Sequence, residues 1–207
     1  MGRPRTALLS SERIVDEALE LFDSGEPFSM RALAKRLGVA AASLYYHVDG
    51  IDHLIDVIRD RMVRDDPPPA PDVHRGWREE VEAILRAMHA GYARHPRLVS
   101  ALVGAPITSQ SVLDLYERLA SALQRAGFAP VQVAVHLEVL DSFALGVALE
   151  RAAPAEVWRI ASQDGALFAA SRAWADPDER LDAAFEHGLH GLLDAIEAGV
   201  RSQIADA

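Results

Sequence analysis

Cysteine is absent from this chain of 207 residues, which removes disulfides, thiolate metal sites and cysteine nucleophiles. Strand signals are nearly missing too. No segment alternates apolar and polar residues, and no hairpin turn of the Asn-Gly or Asp-Gly kind joins two such segments. No apolar run approaches the roughly 18 residues of a membrane span. The start, MGRPRTALLSSERIVDEALE, turns acidic where a signal peptide needs an apolar core. Glycine-rich phosphate loops, nucleophile elbows and a His-Glu-x-x-His pair are missing, so no enzymatic chemistry is expected. His89, His95 and His136 lack metal-ligand spacing with a carboxylate, and neither a metal nor a cofactor is expected. What remains, 50% apolar and 25% charged, is the balance of an ordinary soluble protein of one or two domains. The expectation is a cytoplasmic protein without a membrane partner.

The net charge of -10 argues at first against nucleic acid, but its distribution changes that view. Residues 1–48 hold six basic side chains (Arg3, Arg5, Arg13, Arg31, Lys35, Arg36) against six acidic ones, whereas 49–207 hold fifteen against twenty-five. An acidic body weakens general attraction to phosphate, so any DNA binding must be local and geometric.

Helical periodicity runs through the chain. Ser10 or Ser11 caps a first helix whose apolar positions, Ile14, Val15, Ala18, Leu19 and Phe22, are spaced by three and four. Ser29 caps a second, Met30 to Leu37, stopped by Gly38. A third runs from about Ala41 to His47 and a fourth from about Ile51 to Arg64. Four prolines within 65–72 force an extended connection, which divides a head at 1–64 from a core at 73–207. The core reads as helices over Trp77–His95, Ser109–Ala126, Pro130 to about Ala152, and Asp176 to about Gly199, with a less clear helical pattern between Pro154 and Asp176. The fold class expected from this pattern is all-α, a set of short helices followed by a larger helical domain.

The stretch from Phe28 to Val48 carries most of the functional information. A helix-turn-helix needs a small residue at the helix crossing, here Ala34, and a left-handed turn residue four positions later, here Gly38. Leu33, Leu37, Val39 and Leu44 then share a core with Ile14, Ala18 and Phe22. Three alanines slim the leading end of the third helix, so that it can lie in a major groove. Tyr45, Tyr46 and His47 close a helix too short to bury both phenols, and their polar ends suit phosphate contacts.

These residues resemble the DNA-binding domain of the TetR family of transcriptional regulators. The hallmark is Leu37-Gly38-Val39 followed by Leu44-Tyr45-Tyr46-His47-Val48, within a match over about the first 60 residues. Phe143-Ala144-Leu145-Gly146-Val147-Ala148-Leu149-Glu150 resembles the central core motif of the tetracycline repressor's branch. The resemblance implies an all-α homodimer on a double-stranded operator, with a three-helix, helix-turn-helix DNA-binding domain followed by a larger helical domain for ligand binding and dimerisation. Met30 and Arg31 would open the second helix and Ala41, Ala42 and Ser43 the recognition helix, with Tyr45, Tyr46 and His47 beside the backbone. It also exposes departures. The lysine that the family often sets at the start of the fourth helix is Ile51 here, flanked by Asp49 and Asp52. Two histidines that in the tetracycline repressor contact drug or its metal read Leu102 and Ser142, while Glu150 is kept. That argues against metal-chelated tetracycline and for a small, largely apolar effector.

Arg3 and Arg5 form an extended Arg-Pro-Arg arm that either enters an adjacent minor groove or stays a mobile tail. Candidate pocket residues are Trp77, Met88, Tyr92, His95, Leu102, Ile107, Tyr116, His136, Phe143, Glu150 and Trp158. The helix from Val131 is apolar on most of its circumference, and the last helix carries Gly188 and Gly191 among large apolar residues. A dimer interface through Val135, Val139, Val147, Phe185, Gly188, Leu189, Leu192 and Ile196 would bury both. The alternatives are a dimeric regulator without an effector, an activator, and, more remotely, a small helical enzyme.

Overall fold

Residues 9–72, 74–153, 158, 160–161 and 163–205 are described by the computed structural model of the chain. Within them every regular element is a helix and there is no strand. The head holds α1 (Ser11–Ser24), α2 (Met30–Leu37) and α3 (Ala41–Leu44), and α4 (Ile51–Asp65) leads out of it. Beyond the proline-rich connection come α5 (Trp77–Arg94), α6 (Val99–Leu102), α7 (Gln110–Arg125), α8 (Pro130–Arg151), α9 (Ala166–Ser171) and α10 (Pro177–Ala205).

Local chemistry sets the ends of these helices. The hydroxyls of Ser10, Ser29 and Ser109 accept the backbone N–H of Arg13, Ala32 and Val112, each satisfying one donor that the helix leaves unpaired. Gly38 adopts φ 70°, the left-handed conformation that lets the Val39 N–H reach back to the Ala34 carbonyl at 3.0 Å and close α2.

The expected third helix is shorter than its sequence pattern suggests. It ends at Leu44, and the N–H groups of His47 and Val48 both reach the Leu44 carbonyl, at 2.8 and 2.9 Å. Leu44 and Val48 are buried, so the chain curls back to bring both into the head core, and Tyr45–His47 form a turn.

Two apolar clusters organise the molecule. The first gathers Ile14, Ala18, Leu33, Leu37 and Leu44 of the head with Leu54, Ile58 and Met62 of α4, and extends to Leu98 and Leu102 around α6. The second lies among α5, α7, α8 and α10, around Ile84, Leu119, Leu140, Phe185 and Leu189. The helix α4 therefore shares a core with the N-terminal helices and reaches α6 of the second part.

The proline-rich connection is held at one buried acid. Glu80, only 3% exposed, pairs with Arg75 at 2.7 Å and Arg118 at 2.6 Å. Arg118 also donates to the Pro69 carbonyl at 2.8 Å. Burial works to raise the Glu80 carboxyl, but the hydrogen bonds and charges of the two arginines prevail and hold it below its ordinary value.

Among the described helices, α8 is long and apolar enough by length and composition to cross a bilayer, although no run of that kind is expected from the sequence. It is interrupted by Gln132, His136, Glu138 and Asp141, and it packs against α5, α7 and α10 through Val133, Leu140, Ala144 and Ala148.

Candidate DNA-reading head and ligand cavity

With Leu44 and Val48 anchored beneath, Tyr45 and Tyr46 project outward, 53% and 88% exposed. His47 and Ala42 are exposed beside them, while Ala41 and Ser43 are half-buried. Arg31 is exposed on α2, and Met30 packs part of its side chain on the head core. The cations of the head divide into two kinds. Arg36 is held by Glu17 and Glu20 of α1, and Arg13 donates to the Leu37 carbonyl at 3.5 Å. Arg31 and Lys35 are exposed and have no ion-pair partner among the described residues. Lys35 is not among the DNA-binding residues expected from the sequence. Its signal is there, since it follows Arg31 by four positions and so shares its helix face. Arg3 and Arg5 lie outside the described residues. Ile51 stands 45% exposed at the start of α4.

The core holds a cavity of about 330 Å³ between α4, α5, α6, α7 and α8. Met88, Tyr92, Leu102, Ile107 and Tyr116 line it, as does Ser142. The Tyr116 hydroxyl donates to Asp141 at 2.6 Å. Burial first pushes both Tyr92 and Tyr116 above the ordinary phenol value, followed by the Asp141 charge for Tyr92 and by the hydrogen bond to Asp141 and then its charge for Tyr116, so both phenols stay protonated.

The other expected pocket residues lie elsewhere, for packing reasons. Trp77 packs on the second cluster, and His136 meets the Phe128 ring edge-on at 4.5 Å. Phe143 stacks on Phe185 at 5.6 Å. His95 points to the head, where it meets Asp23 of α1 at 2.8 Å. Glu150 is exposed, and so is Trp158, with Arg180 over its ring at 5.9 Å.

Polar residues of α4 that no sequence pattern singled out fasten it to the wall of this cavity. Arg59 donates to the carbonyls of Leu102, Ala105 and Pro106 at 2.8, 3.0 and 2.6 Å. Asp56 accepts the Thr108 backbone N–H at 2.9 Å and its hydroxyl, and Asp60 accepts the hydroxyls of Ser109 and Ser111. A guanidinium that donates to three carbonyls of one loop ties that loop to α4, because each of these bonds is strengthened by the donor's charge. The signal available in the sequence is a charge on an apolar stripe, for Arg59 lies on the helix face of Ile55 and Met62.

The expected dimer residues fall into two groups. Phe185, Leu189 and Ile196 are buried in the protomer's own core and offer nothing to a partner. Gly188 also has an internal reason. A Cβ there would sit 2.5 Å from the Phe143 ring, so glycine is needed where α8 and α10 cross within one chain. Val147 packs on the same cluster, and Leu192 is half-buried. Val135 and Val139 remain exposed, with Val131 and Leu149, along one side of α8. Gly191, also exposed, has nothing near its Cβ position.

This architecture, an exposed helix-turn-helix joined by one helix to an all-α core with a cavity, is that of the helix-turn-helix class with a separate helical core large enough to hold a small molecule. Residues 70–200 match the family model described as Tetracyclin repressor-like, C-terminal domain. The HTH-type transcriptional repressor DrrR1 of Streptomyces coeruleorubidus is 32% identical over 142 residues, 68% of this chain and 53% of its own length. A possible TetR family transcriptional regulator from Streptomyces coelicolor A3(2) superposes with a TM-score of 0.75 at 25% identity, covering 91% of this chain and 99% of that one. ActR of Streptomyces coelicolor, solved in complex with actinorhodin, gives a TM-score of 0.69 at 25% identity, covering 93% and 97%. The chain spans roughly half to two thirds of the length of the curated relatives it matches. The chain belongs to the TetR family of transcriptional regulators.

Proposed function

We propose that the protein is a homodimeric repressor that leaves a palindromic operator when a small molecule fills the core cavity. The observation that carries this reading is the continuity of α4, which shares the apolar core of the exposed head and, through Arg59, holds the loop that walls the cavity. On this reading the chain divides into a head at 1–64, a connection at 65–72 and a core at 73–207. Binding to DNA rests on Arg31, Ala42, Tyr45, Tyr46 and His47, with Met30, Ala41 and Ser43 shaping the reading helices and Arg3 and Arg5 as a minor-groove arm. Lys35 joins them by its exposure. ActR, a TetR family protein solved with actinorhodin bound, supports a ligand in the core. The exposed valines of α8 support a second copy as partner, since burying them would cover an apolar face left open in one chain. The place of action is the cytoplasm.

A ligand that weakens operator binding 100-fold must favour the non-binding state by about 2.7 kcal/mol. The test is footprinting of the DNA that flanks the protein's own coding sequence. A protected palindrome, with half-sites about one helical turn or a multiple apart, is the expected result. Failure to protect any palindrome would overturn the reading.

A further inference from the structure

The charges around the cavity do not balance. Arg59 is the cation that lines it among the described residues, and both of its Nη groups are committed to the Leu102, Ala105 and Pro106 carbonyls and to Asp56. Against it stand Asp66, Glu138 and Asp141. Asp66 is matched by Arg94. Asp141 accepts only the Tyr116 phenol, and Glu138 has neither a hydrogen-bond nor an ion-pair partner among the described residues. Glu138 and Asp141 are three apart on α8, so their carboxyls share one helix face. The Tyr92 phenol, largely buried against the same space, has no hydrogen-bond partner among the described residues.

Asp141 is half-buried and Glu138 stands exposed where it lines the cavity, so an incoming cation meets two neighbouring carboxylates that have no cation of their own among the described residues, and pairing with it relieves their mutual repulsion. Two phenol rings in the wall add faces over which a cation is attracted. The apolar remainder, with Leu115, Leu119 and Leu145, suits a flat ring body. We infer that the cavity takes an amine-bearing aromatic cation, its ring body among the leucines and its charge at Asp141 and Glu138. This rests on the reading of the cavity as the effector site, and replaces the expected purely apolar ligand with an amphipathic one.

The test is fluorescence titration of the full-length protein, free of DNA, with three probes of one ring size: proflavine (a cation), anthracenemethanol (neutral) and anthracene carboxylate (an anion). Proflavine should bind about tenfold or more tightly than the neutral probe, a difference of about 1.4 kcal/mol. Asp141→Asn combined with Glu138→Gln should erase that advantage and leave the neutral probe unchanged. Asparagine still accepts the Tyr116 hydroxyl, so the fold is kept. Equal affinity for the three probes, preference for the anion, no binding of proflavine, or an advantage that survives the double variant overturns the assignment of charge. Leu145→Trp, which fills the cavity, should abolish binding of the neutral probe. Retained binding in that variant overturns the cavity as the effector site, independently of charge.

Discussion

In the head, the outward-facing residues sit on the eight-residue α2, the four-residue α3 and the turn that follows it, raised on a small core shared with α1 and α4. In the core, the cavity is walled by helices of 18, 16 and 22 residues, with Tyr92, Tyr116 and Asp141 among the polar groups that line it. The head is suited to meeting a partner because its short helices cannot bury all of their side chains. The core is suited to holding a ligand because long helices crossing at angles leave a space that no side chain fills. The two regions are coupled because α4 belongs to both. Its apolar face lies in the head cluster, and Asp56, Arg59 and Asp60 fasten it to the loop between α6 and α7.

The contrast can be broken by substitution, and the largest effect is expected in the core. Phe185 is fully buried and stacks on His89 at 3.9 Å, so Phe185→Ala should cost about 3–5 kcal/mol of unfolding free energy. Urea denaturation reads it, and a loss below about 1 kcal/mol would mean that the second cluster does not hold the protein together. Glu80→Ala comes next, at about 3 kcal/mol, because it leaves Arg75 and Arg118 without their shared acid.

That link also predicts a dependence on pH. Glu80 is held below its ordinary value in the folded state, so its contribution is complete above the usual carboxylate value of about 4.3 and is lost as pH falls through the lower folded value. Urea midpoints measured on acidification should fall less steeply in Glu80→Gln than in the parent. Equal slopes would show that the pair contributes no linkage.

The head should respond in the opposite way. Arg31→Ala with Lys35→Ala should leave unfolding unchanged while operator affinity drops and the salt slope flattens by about 0.9 for each phosphate no longer neutralised. Unchanged affinity would move the reading surface elsewhere. The smallest effect on folding is expected on the open side of α8. Val135→Glu, at a site 58% exposed, should stay within about 0.5 kcal/mol for folding yet shift the protein toward monomers in sedimentation. A dimer that survives this change places the interface off that face.

How much was legible in advance differed between the regions for the same reason. The crossing at Ala34, the turn at Gly38 and the anchor Leu44 follow from spacing within about 20 residues, and the head was readable from them. The length of α3 was not, because its end is set by Val48 returning to the core. In the core, Met88, Tyr92, Leu102, Ile107 and Tyr116 were named from residue type alone, and the same criterion also named Trp77, His136 and Phe143, which other rings and apolar groups absorb. Gly188 looked like a contact between subunits and is instead the notch for Phe143.

By itself, then, the amino-acid order determined the all-helical class, the serine caps and glycine stops of the first helices and the form of the head, since these depend on caps, periodicity and neighbours a few positions apart. Only the tertiary structure decided which carboxylates border the cavity, which arginines are committed to carbonyls, and which face of α8 stays open. Those depend on helices from distant parts of the chain converging on one point, where burial and charge are set by what packs alongside rather than by what precedes or follows.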